Sequence, residues 1–193
     1  MKRQIFCFLL FNLILIVAGC KKKPAIVENN NGQYFVKFKA NGAQQNFTIP
    51  SSTAQFHDSI TVAGKKVHIY AVGAAGMNFH SIQFGIYSDK VLTGTTNYRE
   101  SDLLYGYQPQ MIMIYVNNPT SFGNLSIGSY DPLPPYSFPS IPRDCRISLT
   151  EVTATSIKGT FSGTVYLEKP NGEPDLNNKT SITNGEFFLP ALF

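Results

Sequence analysis

The sequence predicts an all-β fold, an antiparallel β-sandwich of about 8–10 strands, with a partly open β-barrel as the alternative. Apolar and polar residues alternate with a period of two, most clearly over Ile157–Leu167. Turn residues separate such runs, as at Asn117-Asn118-Pro119 and Lys169-Pro170-Asn171-Gly172. No stretch carries an apolar stripe of helical period over three turns. Short strands with frequent turns are typical of antiparallel sheets.

The individual strands follow from the same alternation. Tyr34–Lys39 alternates, and Asn41-Gly42 after it predicts a hairpin whose returning strand contains Phe47 and Ile49. Met111–Val116 is apolar on both faces, which predicts a central strand covered on both sides. Asn97–Tyr107 predicts one short helical turn at most. The remaining predicted strands are Ser59–Ala63, Val67–Val72, Ser81–Tyr87, Arg146–Val152 and Thr180–Leu189.

Length and charge narrow the function classes. The chain has 193 residues, which suits one folded domain, and its 43% hydrophobic content is enough for a buried core. It carries 16 basic and 12 acidic residues, but five basic residues precede Pro24, which leaves 11 basic and 12 acidic from there onward. A nucleic-acid-binding domain needs an excess of basic residues on its folded part. The composition therefore argues against nucleic acid as a partner.

The first residues have the form of a secretory leader. Lys2 and Arg3 precede the apolar run Ile5–Ala18, which is shorter than the roughly 20 residues of a membrane-spanning helix. The run ends in Val17-Ala18-Gly19-Cys20, which resembles the lipobox of bacterial lipoproteins. That resemblance implies that residues 1–19 are a signal peptide, and that the Cys20 thiol carries acyl chains. Two or more acyl chains would hold the protein on a membrane.

The residues after the leader predict a tether and a single domain. Residues 20–32 are the acylated cysteine and a flexible polar tether, and residues 33–193 form one β-sandwich domain. Surface-exported lipoproteins of the Bacteroidetes typically carry acidic residues just after the cysteine, whereas this chain has Lys21-Lys22-Lys23 there. We therefore expect an outer-membrane protein that faces the periplasm, with the cell surface as the alternative.

Two segments near the C-terminus resemble a second pattern. Gly159-Thr160-Phe161-Ser162-Gly163, followed by Thr183-Asn184-Gly185-Glu186-Phe187, resembles the C-terminal signature of small Bacteroidetes lipoproteins of unknown function. The hairpin around Asn41-Gly42 resembles the N-terminal part of the same proteins. The resemblance implies an exported, mostly β domain, and it implies no reaction.

Residue types that carry chemistry are sparse and scattered. Cys145 shares its phase with apolar neighbours, so it is predicted to be a small buried side chain and not a nucleophile. The histidines, at positions 57, 68 and 80, lack the spacings of metal ligands on one strand or one helix. Carboxylates such as Glu100 lie in or beside predicted loops, and no pair can be placed at catalytic separation. We therefore predict no catalytic residue, no metal site and no cofactor.

Two further sites are named from the sequence. Tyr130–Pro142 contains five prolines, which exclude a central strand and predict a stiff extended loop. Its side chains Tyr130, Leu133, Tyr136 and Phe138 are a candidate binding loop, and a crossover folded onto the sandwich is the structural alternative. Asp58-Ser59-Ile60 resembles the acceptor motif of periplasmic O-glycosylation in Bacteroidetes, which makes Ser59 a candidate acceptor.

These observations favour a non-catalytic protein of the cell envelope. We expect a lipid-anchored accessory or interaction module, attached to the membrane by Cys20, whose partner is an envelope protein or a glycan. A small-molecule or glycan binder that uses the loop at residues 130–142 is the alternative. A hydrolase is the third and least favoured class.

Overall fold

The computed structural model describes residues 34–48, 53–62, 64–75, 80–104, 108–117, 125–127, 144–169, 171 and 173–191, which belong to the unit Gln33–Phe193. Regular structure in these residues consists of strands alone, so within them no helix is long and apolar enough to cross a membrane. The strands are β1 (Phe35–Ala40), β2 (Ala43–Thr48), β3 (Thr53–Val62), β4 (Lys65–Ala75), β5 (Ser81–Ser88), β6 (Thr96–Arg99), β7 (Leu103–Leu104), β8 (Gln108–Pro109), β9 (Met111–Val116), β10 (Leu125–Ile127), β11 (Arg146–Val152), β12 (Ser156–Glu168) and β13 (Pro174–Pro190).

Two antiparallel sheets form the body of the domain. The first, called here the six-stranded sheet, has the order β6-β11-β12-β13-β1-β2, and the second has the order β9-β5-β4-β3. The short β10 pairs with β9 and with the end of β12, so the hydrogen-bonded ladder continues from one sheet into the other at that point. The sheets do not close in the described part of the chain. The β-sandwich predicted from the sequence is confirmed.

Aromatic side chains fill the space between the sheets. Phe161 of β12 packs on Phe84 of β5 with ring centroids 4.5 Å apart, and Phe38 of β1 meets the edge of Tyr115 of β9 at 5.5 Å. All four side chains are at most 3% exposed. Rings of this size bury large apolar areas, and tilted or edge-on contacts are their preferred geometry. The core therefore joins strands from both ends of the chain.

The predicted hairpin is confirmed in its turn and in Phe47 of β2, while Ile49 lies outside the described residues. Asn41 and Gly42 have φ angles of 48° and 84°, the left-handed values that a two-residue turn between twisted strands requires. The Asn41 side chain also accepts a hydrogen bond of 2.8 Å from the backbone N–H of Ser181 in β13. The turn is thus tied to the neighbouring strand as well as closing β1 onto β2.

The two C-terminal segments singled out in the sequence lie directly beside each other. Gly159 of β12 is paired with Phe187 of β13, and Phe161 is paired with Gly185. A Cβ atom on Gly159 would lie 2.5 Å from the Phe187 ring, and one on Gly185 would lie 2.6 Å from the Phe161 ring. Each phenylalanine therefore covers a glycine of the opposite strand, which explains the residue pattern by packing.

A β-bulge follows these pairs. Thr183 and Asn184 of β13 together oppose the single residue Ser162 of β12. Asn184 adopts a φ of 53°, a left-handed conformation that asparagine tolerates better than most residues. Bulges bend a strand and redirect its side chains. Here the bulge turns two polar residues toward the outside of the six-stranded sheet.

Most strand predictions are confirmed, with differences at the sheet edges. Arg146–Val152 is strand β11 as predicted, and Met111–Val116 lies between two other strands as a central strand should. The described part of Asn97–Tyr107 contains no helical turn, within the limit of one that the sequence set, and Thr96–Arg99 is strand β6 on the edge of the six-stranded sheet. Pairing with β11 supplies hydrogen bonds to the β6 backbone, although the local sequence shows no alternation of apolar and polar residues.

Candidate functional site

The outer face of the six-stranded sheet is the surface that points away from the core. Successive side chains of a strand alternate between the two faces, so burial of Phe161 in the core turns Thr160 and Ser162 of β12 outward. The same alternation turns Arg146 and Ser148 of β11 outward. This surface, called here the outer face, is built from four adjacent strands, β6, β11, β12 and β13.

An open groove with a volume of about 730 Å³ runs across the outer face. Tyr98, Phe161 and Gly185 belong to its floor and are buried. Its other side chains are polar or charged and exposed or half-buried. They are Asn97, Arg99, Arg146, Ser148, Thr160, Ser162, Thr183, Asn184 and Glu186.

Two arginines stand side by side at one end of the groove. Arg99 of β6 and Arg146 of β11 are direct Cα partners in the antiparallel ladder, and both side chains are exposed. Arg146 donates from Nε to the Ser162 hydroxyl at 2.9 Å. Neither guanidinium forms an ion pair with another described residue. The direct pairing concentrates two positive charges at one position of the sheet. Such an arrangement is unfavourable for the sheet itself.

Among the described residues of the groove, one carboxylate is present, and a lysine outside the groove neutralises it. Glu186 of β13 forms an ion pair with Lys37 of β1, with 2.9 Å between Nζ and Oε2. Both side chains are about half exposed, so the pair adds little to stability. Among the residues that line the groove, the β13 side is therefore close to neutral, while the β6 side carries two positive charges. The exposed Lys39 of β1, which is paired with Thr183, lies just beyond this lining.

Cys145 lies buried beneath the arginine end of the groove. Burial, followed by the negative charges of Glu100 and Asp144, raises the pKa of the Cys145 thiol well above its ordinary value. The Glu100 carboxylate accepts a 3.3 Å hydrogen bond from the Cys145 backbone N–H. A protonated, buried thiol is a poor nucleophile. Cys145 is buried as the sequence predicts, and its side chain packs against Gly163 and Thr164 of β12.

Two carboxylates support the arginine end of the groove. Glu100 lies in the turn after β6, as expected, and is fully buried there, and its backbone N–H donates to the Cys145 carbonyl at 2.9 Å. Asp144 accepts hydrogen bonds from the Thr164 backbone N–H at 2.7 Å and from the Thr164 hydroxyl at 2.9 Å. These bonds fix the residues just before β11 against β12, and so help to hold Arg146 in place.

The structure brings two of the three histidines together. His57 Nε2 and His68 Nδ1 lie 3.2 Å apart on the adjacent strands β3 and β4, and the His57 ring stacks on Tyr70 at 4.4 Å. Burial, with smaller contributions from Lys66 and His57, lowers the pKa of His68. Within the described residues, no group of three or more His, Cys, Asp or Glu side chains could hold a metal ion.

His80 lies apart from that pair. Its Nε2 is 3.0 Å from the Tyr115 hydroxyl, which in turn donates to Asn117 Oδ1 at 3.2 Å. Because the hydroxyl has one proton, the His80 ring is the donor in the first of these bonds. Burial lowers the pKa of His80 and raises the pKa of Tyr115 to about 12. Both groups are therefore neutral near pH 7.

Of the sites named from the sequence, Ser59 is the one that the structure describes. Ser59 is exposed on β3, the edge strand of the second sheet, and its backbone N–H donates to the Asp58 carboxylate at 2.7 Å. Ile60 is 43% exposed, so the whole motif is accessible. Its glycosylation stays a prediction.

The other sequence-predicted positions lie outside the described residues. These are the acylation site Cys20 and the loop side chains Tyr130, Leu133, Tyr136 and Phe138. The groove of the outer face was not predicted, although the segment that supplies Thr160 and Ser162 had been singled out as a pattern. Comparison with family models, curated proteins and solved structures finds no match to this chain.

Proposed function

We propose that this chain is a lipid-anchored protein of the cell envelope that acts as a non-catalytic accessory or interaction module. The observation that carries the proposal is the groove of the outer face, which exposes polar side chains from four adjacent strands. Hydrogen-bonding groups on neighbouring strands offer a partner several contacts at once. The outer face is therefore the surface on which we place the interaction.

The rigidity of the outer face supports a binding role. Thr160 and Ser162 stand on β12, which is paired on both sides by β11 and β13. The rings of Phe161 and Phe187 pack beneath them. Side chains on paired strands over a packed core lose little further freedom when a partner binds. A preformed surface of this kind fits recognition without chemical change.

The state of the titratable groups agrees with a non-catalytic role. The Cys145 thiol is buried and protonated, and the His80 ring is held by a tyrosine.

The proposed anchor rests on the resemblance of Val17-Ala18-Gly19-Cys20 to a lipobox and of the C-terminal segments to small Bacteroidetes lipoproteins. The lysines at positions 21–23 favour an outer-membrane protein that faces the periplasm.

The interaction itself is tested by placing a photo-crosslinking amino acid at Thr160, which is exposed in the centre of the groove. Irradiated cells are expected to yield a covalent adduct with an envelope component. The matched control carries the same amino acid at Lys90, an exposed position outside the groove. Equal adducts at both positions, or none at Thr160, would contradict the outer face as the interaction surface.

The anchor is tested with Cys20→Ala. Removing the thiol removes the acyl acceptor, so incorporation of labelled palmitate is expected to fall to background and the protein to remain as precursor or leave the membrane. Cys145→Ala is the matched control, because its thiol is buried in the domain, and it should label like the original protein. Palmitate labelling that persists in Cys20→Ala would show that the anchor assignment is wrong.

The orientation is tested in the same cells with added proteinase. A domain that faces the periplasm should stay intact in whole cells, while lysed cells should lose at least the tether at residues 25–32. Cleavage in intact cells would place the domain on the cell surface instead.

A further inference from the structure

The two arginines of the groove suggest which partner the outer face selects. We infer that Arg99 and Arg146 bind carboxylate groups of an acidic polysaccharide that lies along the groove. The inference rests on the proposed function and adds the chemical class of the ligand. It depends on the paired register of the two arginines, the neutral polar lining beside them and the scarcity of exposed apolar side chains.

The arginine pair fits carboxylates by geometry as well as by charge. Direct partners on adjacent strands lie about 5 Å apart in the hydrogen-bonding direction. Both guanidinium groups are exposed, and Arg146 uses only Nε for Ser162, which leaves its terminal nitrogens available as donors. A guanidinium binds a carboxylate through two parallel N–H···O bonds. Two such forks side by side fit one shared carboxylate or two neighbouring ones.

The remaining side chains of the groove fit a polyol. Next to the arginines, Ser148 and Thr160 are paired across β11 and β12, and the bulge adds Thr183 and Asn184. Hydroxyl and amide groups both donate and accept hydrogen bonds, as sugar hydroxyls do. Rows of side chains repeat about every 7 Å along a strand, so a chain molecule meets a new polar group at each step.

A protein partner fits this surface less well. Protein interfaces have an apolar core in which aromatic residues are enriched. Here the aromatic residues at the groove, Tyr98 and Phe161, are 6% and 3% exposed, because their rings face the core on the other side of the sheet. A polar lining without an exposed apolar centre favours a hydrated carbohydrate.

The charge distribution favours spaced carboxylates over a densely charged polymer. From Arg146, Glu186 lies two strands across and one row along, a separation of about 12 Å by sheet geometry. Its ion pair with Lys37 supplies no free positive charge there, and the next cation is the exposed Lys39 of β1, which is paired with Thr183 and lies beyond the lining of the groove. A nucleic acid carries a phosphate at every step and needs a longer row of cations. An acidic polysaccharide carries one carboxylate among several hydroxyl groups. This spacing matches a groove in which two arginines are followed by neutral polar side chains.

The test measures binding of the detergent-solubilised full chain to polygalacturonate by titration calorimetry. The double variant Arg99→Gln/Arg146→Gln should bind about tenfold more weakly or worse, since hydrogen bonds to charged groups are lost. Lys90→Gln/Lys169→Gln is the matched control, because it removes the same charge from exposed positions outside the groove, and it should bind like the original protein. Added salt should weaken binding of the original protein more than that of the arginine variant.

A second variant separates fork geometry from charge. Arg99→Lys/Arg146→Lys keeps both charges and loses the two-pronged donor, so its affinity should fall between those of the original protein and the glutamine variant. Circular dichroism melts of all variants should coincide, because the two arginines are exposed.

Each other outcome contradicts the inference in a defined way. An equal loss of affinity in the lysine control would indicate that binding depends on the net charge of the protein and not on a defined site. Binding of a neutral polysaccharide, polyglutamate or single-stranded DNA as tight as that of polygalacturonate would assign a different ligand class. No binding of polygalacturonate by the original protein would also overturn the inference. Crosslinking at Thr160 would still report on the proposed function, so the two failures are distinguishable.

Discussion

Replacing Phe161 with alanine is expected to lower the free energy of unfolding by about 3–5 kcal/mol. The ring is 3% exposed and contacts Phe38, Phe84 and Phe187, with centroids 5.7, 4.5 and 6.3 Å away. These neighbours belong to three different strands in both sheets. Removal of the ring leaves a cavity that the paired β12 backbone cannot close, because the strand is fixed on both sides.

The matched control is Thr160→Ala, one residue earlier on the same strand. Thr160 is exposed on the outer face, so its loss should change the unfolding free energy by no more than about 0.5 kcal/mol. Urea denaturation of both variants gives the comparison directly. Similar destabilisation by the two substitutions would mean that the alternation of β12 does not separate a core face from an outer face.

Alternation in the sequence was sufficient to predict the central strands. In β12 the odd positions from Ile157 to Val165 are buried, as the period of two requires. The pattern ends where the register shifts between Tyr166 and Leu167, so that Tyr166 is buried and Leu167 is only half-buried. A register shift depends on the partner strand, so it cannot be predicted from the sequence of one strand alone.

Strand ends and edge strands could not be predicted for a related reason. The first half of β13 contains Asn177, Asn178 and Lys179, all exposed, and has no apolar face. Pairing with the end of β12 holds this half on both sides of a register shift, where Tyr166 faces Lys179 and Leu167 faces Asp175, and Asn177 and Asn178 lie within the shift. The partner strand, and not an alternating side-chain pattern, therefore places this half of β13 in the sheet.

The groove of the outer face required contacts that sequence order does not give. Arg99 and Arg146 are far apart in the chain and meet because β6 adds to the free edge of β11. The His57 and His68 pair arises in the same way, by diagonal placement on β3 and β4. The sequence signal that pointed toward the groove was the Gly-Thr-Phe-Ser-Gly segment of β12, whose threonine and serine face outward while its phenylalanine faces the core.

Replacing Gly163 with alanine is expected to lower the free energy of unfolding by about 2–5 kcal/mol. This range joins about 1–3 kcal/mol for overpacking with about 1–2 kcal/mol for a strained backbone. A Cβ atom at this position would lie 2.5 Å from both the Cα and the Sγ of Cys145, and the φ angle is 156°. The Cα atom belongs to the backbone just before β11, so relief would require that strand to shift away from β12.

Substitutions at two other glycines separate the cost of overpacking from the cost of backbone strain. Gly42 has a φ of 84°, and no atom would lie within 4 Å of an added Cβ, so Gly42→Ala should cost only the backbone strain of about 1–2 kcal/mol. At Gly94 the nearest atom would be the Val152 nitrogen at 3.6 Å, and the φ angle is not left-handed, so Gly94→Ala should change stability by less than about 1 kcal/mol. Urea melts of the three variants should therefore rank Gly163, Gly42 and Gly94 in decreasing cost. A Gly163→Ala protein as stable as Gly94→Ala would show that β11 and β12 are not in close contact at Cys145, and the support of Arg146 at the groove would then need another origin.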